Sequence, residues 1–161
     1  MRSEYGRLLR RHFAAAMSLR LPQFEATKSD GFPGERAFVQ KPQSDLWKWI
    51  IVVPNQKDDN FTLELGWSSL GRDPRQGRAP LLSPSKAQHE PEYMCRIGQV
   101  LGKDMWWHVD SFMRTTEAKD ILGSMPGALQ SDPSIRIRVC ASAAMDVLVR
   151  VGVPYLEARS T

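Results

Sequence analysis

Leu46-Trp47-Lys48-Trp49-Ile50-Ile51-Val52-Val53, followed after a polar break by Phe61-Thr62-Leu63-Glu64-Leu65-Gly66-Trp67, decides the fold of this chain. The first stretch is dense in β-branched and aromatic residues, which pack well on a pleated surface. In the second, Phe61, Leu63, Leu65 and Trp67 alternate with Thr62, Glu64 and Gly66. A period of two puts one set on each face of a strand. Pro54 and the polar residues 55–60 make a turn. A connection this short joins antiparallel strands, so the pair reads as a hairpin. The second strand is expected to keep one face wet. The first is apolar on both faces at its end, and is expected to be central with its far side covered.

Upstream, Tyr5, Leu8, Leu9, His12, Phe13, Ala16 and Met17 repeat at the spacing of one helix face. Ser3 can cap that helix, and Leu21-Pro22 ends it, because the residue before proline is pushed out of the α region. Asp30-Gly31 and Pro33-Gly34 are turn signals between short expected strands at 23–27 and 35–41. Downstream, residues 71–91 break up Arg72, Arg75, Arg78 and Lys86 with prolines and glycines, and read as a partly ordered surface loop. Residues 92–101 fit a helix or a strand. Residues 104–109 carry the pair Trp106-Trp107 on a short strand or helix start. A helix capped by Asp110 or Ser111 is expected to run to Leu122 and stop at Gly123. Asp132-Pro133 opens the last helix, with Ile137, Cys140, Ala141, Ala144, Met145 and Leu148 as its apolar stripe. Gly152 and Pro154 are expected to stop it.

These elements predict a single α+β domain over residues 1–161: an antiparallel β-sheet of four to five strands with helices packed on one face. A chain of this size buries a core without staples. Cys95 and Cys140 are too few for a secreted disulfide scaffold and read as buried free thiols. Ala14-Ala15-Ala16-Met17 is too short for a secretion signal and is flanked by arginines. No apolar run approaches the length of a membrane span. A cytoplasmic protein that does not engage a membrane is expected.

The formal charge is +4, and the whole excess lies in residues 1–41, with eight Lys/Arg against four Asp/Glu. Such an end attracts polyanions or an acidic partner. No glycine-rich phosphate loop follows a strand. Gly66-Trp67-Ser68-Ser69-Leu70-Gly71 follows one, but lacks the second glycine of a nucleophile elbow. Asp58, Asp59 and Glu64 lack the alternation of a calcium loop. His12 lies on the first helix's apolar stripe and reads as a boundary histidine, and His89 as a solvated one. His108 stands near Asp104 and Asp110, at a spacing that suits a base with an orienting carboxylate. No metal or cofactor is expected.

The amphipathic N-terminal helix, the strands around Trp47 and Phe61-Thr62-Leu63-Glu64-Leu65-Gly66-Trp67, Cys95-Arg96-Ile97-Gly98 and Asp104-Met105-Trp106-Trp107 form a pattern. It resembles an uncharacterised bacterial family of small single-domain α+β proteins, grouped as a domain of unknown function. The resemblance covers residues 5–109 and implies the fold. It carries over no catalytic residues. Residues 71–91 and the C-terminal helix depart from its pattern. Small families of this kind imply immunity, defence-accessory or inhibitor roles, by association only.

Three functions are then expected, in order. The first is a non-enzymatic protein-binding module, such as an immunity or inhibitor protein, contacting its partner through Trp47, Trp49, Arg72, Arg75 and Arg78, because tryptophan and arginine dominate binding hot spots. A nuclease inhibitor would be acidic, and this chain is basic. The second is nucleic-acid binding through Arg7, Arg10 and Arg11. The third is a small enzyme using His108 with a nearby carboxylate.

Overall fold

A computed structural model describes residues 2–41, 45–55, 57–77 and 81–159. Helix α1 (Arg2–Arg20) opens the chain one residue ahead of the expected Ser3 cap. Strands β1 (Glu25–Thr27), β2 (Arg36–Gln40), β3 (Trp47–Pro54) and β4 (Asn60–Ser68) follow. After a 3-10 turn (Pro74–Gln76) come β5 (Glu92–Arg96), α2 (Ile97–Leu101) and a two-residue β6 (Trp107–His108). Residues 92–101 are therefore a strand and then a helix. The sheet is antiparallel throughout, in the order β1-β2-β3-β4-β5, with β6 pairing the start of β4 beside β5. The hairpin forms as expected, with Trp49 opposite Gly66 and Ile51 opposite Glu64. Its first strand is central.

The helix expected from Asp110 to Leu122 is broken into α3 (Val109–Phe112) and α4 (Thr116–Leu122). The Thr115 hydroxyl accepts the Ala118 amide and starts a new helix, as a side-chain cap does. A short α5 (Gly127–Gln130) leads to α6 (Pro133–Val147), capped by Asp132 as expected. Gly152 and Pro154 do not stop this last helix. It widens into a π turn (Leu148–Gly152) and continues as α7 (Val153–Ala158). Pro154, which has no N–H to donate back along the helix, follows directly after this wider turn. Gly152 is held by packing: a Cβ there would press on Leu148, Leu65 and Ile97.

Helices α1, α6 and α7 cover one face of the sheet. Phe13, Met17, Cys140, Met145 and Leu148 meet Phe38, Ile50, Phe61, Leu63, Leu65 and Trp67 there, all at most 2% exposed. The continuous helix Pro133–Ala158 is long and apolar enough to cross a membrane by length and composition, which no apolar run in the sequence suggested. Of its most apolar 18-residue window, 56% is buried within the fold. Cys95 and Cys140 are buried and unpaired, and burial pushes both thiols up to about 12.

The second face is not wet. Ala37, Val39, Trp49 and Ile51 form a smaller buried cluster on it, with half-buried Trp47, Val53 and Met94 around them. Of the polar residues of β4 that read as solvent-facing, Thr62 is fully buried, donating to the Met105 carbonyl at 2.8 Å, and Glu64 is half-buried; Ser68 at the strand's end is fully buried too. Polarity alternates along this strand but exposure does not, because its polar side chains have partners inside the protein.

Candidate functional site

The stretch that read as a loosely ordered loop accounts for those partners. From Ser69 to Gly77 the chain turns back over the second face of the sheet. Arg72 grips Glu92 with both ends of its guanidinium, at 3.0 and 2.6 Å, and Ser68 donates to the same carboxylate at 2.8 Å. Three residues on, Arg75 donates to Glu35 and to Asp73, each at 2.8 Å, and lies 3.8 Å from Glu64. The Glu35 and Asp73 side chains are 1% and 2% exposed. Burial disfavours the Arg75 charge, but the hydrogen bonds it donates to Asp73 and Glu35 outweigh that and raise its pKa. Burial raises Glu64, and Arg75 works against that rise. Further along, Ala87 is fully buried, the Trp67 indole donates to the Glu90 carbonyl at 2.8 Å, and Tyr155 donates to the Pro84 carbonyl at 2.9 Å. The described parts of 71–91 are thus bound to the core.

The same arginine fixes a second loop. Ser29 donates to Glu35 at 2.8 Å and accepts from Arg75 at 3.2 Å and from the Gly31 amide at 3.1 Å. Gln76 donates to Asp30 at 2.6 Å. Gly31 lies so close to this network that a Cβ would strike the Glu35 carboxylate and Arg75. Phe32-Pro33-Gly34-Glu35 closes a turn, with the Glu35 amide donating to the Phe32 carbonyl at 3.2 Å. Gly34 sits at φ 94°, the value the third position of a type II turn demands, after a proline suited to the second. All of this holds one large side chain in water: Phe32 is 76% exposed. At the other end of β3, Leu70 is 60% exposed, beside Gly71, which approaches the Trp47 ring. Lys41 lies 4.6 Å over that ring.

The expected contact residues therefore divide. Trp47 is half-buried at the rim. Trp49 is 5% exposed and lies beneath the surface. Arg72 and Arg75 are committed to internal carboxylates, and Arg78 lies outside the described residues. Phe32 and Leu70 were not foreseen. The Pro-Gly signal marked the turn, but nothing in a sequence says that a phenylalanine before it points outward.

His108 is exposed, and its Nδ1 accepts from the Asn60 amide at 3.0 Å. The carboxylates expected to orient it face elsewhere: Asp110 pairs with Arg136 at 2.6 Å and Asp104 with Arg96 at 3.8 Å. Ser68 is fully buried. Among the described residues, no three of His, Cys, Asp and Glu converge as a metal site would need.

The Arg72–Glu92 pair has a pH signature. The hydrogen bond from Arg72 holds the Glu92 carboxyl below its usual value of 4.5. A depressed carboxyl stabilises the fold above that value, and the contribution is lost as pH falls through the lower, folded one. Glu92→Gln is expected to cost about 1 kcal/mol at pH 7. It should approach the wild type near pH 3 in urea denaturation. A gap that stays constant across that range contradicts this account of the pair.

No protein-family model, curated protein or solved structure matches this chain.

Proposed function

We propose that this chain is a non-enzymatic protein-binding module whose recognition surface is the second face of the sheet, with Phe32 and Leu70 as anchors. The exposure of Phe32 on an internally braced turn carries this reading. Leaving such a side chain in water forgoes about 1.5 to 3 kcal/mol of burial. A loop already fixed by Arg75 loses little further freedom on binding, which favours affinity. Trp47 and Arg72, partly exposed at the rim, would complete the contact, while Trp49 and Arg75 support it from below. An immunity or inhibitor protein is the specific form we favour. Two buried free thiols suit a reducing cytoplasm, where we place its action.

Photo-crosslinking residues placed at positions 32 and 70, and at the control position Ser142 on the opposite side, test this in native cells. Positions 32 and 70 should yield one shared discrete adduct that Ser142 does not. Phe32→Asp should lose the partner captured at position 70 without lowering the melting temperature. No adduct at either anchor, or the same adducts at all three positions, would remove the proposal.

A further inference from the structure

On the opposite side of the molecule, α1 and α6 lie next to each other. Arg20 pairs with Asp146 at 2.6 Å, and the His12 Nε2 is 2.8 Å from the Ser134 hydroxyl. Their outward surface carries Arg7 and Arg11 from α1 and Arg138 from α6, all exposed, with half-exposed Arg10 beside them. Arg20, Arg72, Arg75, Arg96 and Arg136 each have an acidic partner, and among the described residues these four have none. Burial, and then the charges of Arg138 and Arg11, lower the His12 pKa, so arginines from both helices converge on one seam. The sequence marked Arg7, Arg10 and Arg11 as a basic face. Folding adds Arg138, from 127 positions further along than Arg11.

We propose that this α1/α6 surface binds the phosphate backbone of duplex nucleic acid through Arg7, Arg10, Arg11 and Arg138. Like charges left unpaired on one surface repel each other, and an anion bridging them relieves that repulsion. Arginine presents a planar donor fork that suits phosphate oxygens. Around the arginines Ala15, Ser18 and Ser142 are exposed, with Glu4 and Leu19 exposed towards the two ends of α1. Such residues offer no stacking rings, which single-strand binders use. Phosphate contacts carry no sequence information, so the proposed contact has no sequence preference. It is independent of the protein-binding face.

Fluorescence anisotropy with a labelled 20-base-pair duplex of random sequence, over 50 to 200 mM salt, tests the proposal. Four phosphate contacts give a log–log salt slope of roughly −3.6, about a 150-fold loss of affinity over that range. Replacing Arg7, Arg10, Arg11 and Arg138 together by alanine should abolish binding at 50 mM salt with unchanged circular dichroism, while Lys57→Ala binds like the wild type. Salt-independent binding, or full affinity in the quadruple variant, overturns it. Tighter binding to the matching single strand overturns the duplex assignment. Equal or tighter binding to poly-glutamate of the same charge overturns nucleic acid in favour of an acidic protein.

Discussion

Arg75→Met is expected to destabilise the protein by about 3 kcal/mol at pH 7, near the lower end of the 3 to 5 kcal/mol range for breaking a buried ion pair from one side. The lower end applies because the Arg75 side chain keeps 23% of its exposure. The cost comes from what remains. Glu35 and Asp73 are 1% and 2% exposed at the side chain, and without Arg75 they are buried carboxylates with no counter-charge. In a chain of this length the melting temperature should fall by roughly 10 °C. Two controls separate charge from volume. Adding Glu35→Gln and Asp73→Asn should recover part of the loss, since a neutral set needs no cation. Lowering the pH should narrow the gap, because Glu64, already raised by burial, also loses the cation that opposes that rise. A loss under 1 kcal/mol that ignores both controls means that Arg75 does not brace these loops.

Trp67→Ala is expected to cost about 3 to 5 kcal/mol, the range for emptying a large buried aromatic site. Trp67 is fully buried, 5.3 Å from the Tyr93 ring and 5.8 Å from Tyr155 between centroids, with the Arg159 guanidinium 5.6 Å over it. It joins β4, β5, the final helix and, through the Glu90 carbonyl, the end of the 71–91 stretch. Trp67→Phe keeps most of the apolar contact and loses the indole bond, so about 1 to 2 kcal/mol is expected. The consequence beyond stability is local. Protease cleavage between residues 81 and 91 should accelerate in Trp67→Ala under conditions where the variant is still folded. Unchanged cleavage there means that the stretch is held independently of this residue.

The hairpin was legible because its two signals are local. β-branched density and strict alternation depend only on neighbours in the chain, and they located β3 and β4 to within a residue. The stripes of α1 and α6 were legible for the same reason, as was the Asp132 cap. What escaped was non-local. Alternation at Thr62, Glu64 and Ser68 carries no sign of the side chains that cover them, and those come from residues 73–75, 92 and 105. Arg72 and Arg75 look free in a run of prolines, and only the fold brings Glu92 and Glu35 to them. The continuation of the last helix through Gly152 depends on a π turn, which no spacing rule anticipates. Of the candidate surface, the sequence marked the turn at Pro33-Gly34 and the rim at Trp47. It could not single out Phe32, because an exposed and a buried phenylalanine read alike.

Phe32 is exposed and yet held still, which amide 15N relaxation at Gly31, Phe32, Gly34 and Glu35 tests. The braced turn predicts order parameters near 0.85, equal to those of β3, falling below about 0.6 in Arg75→Met. Values below about 0.6 in the wild type, or values unchanged by the substitution, contradict it.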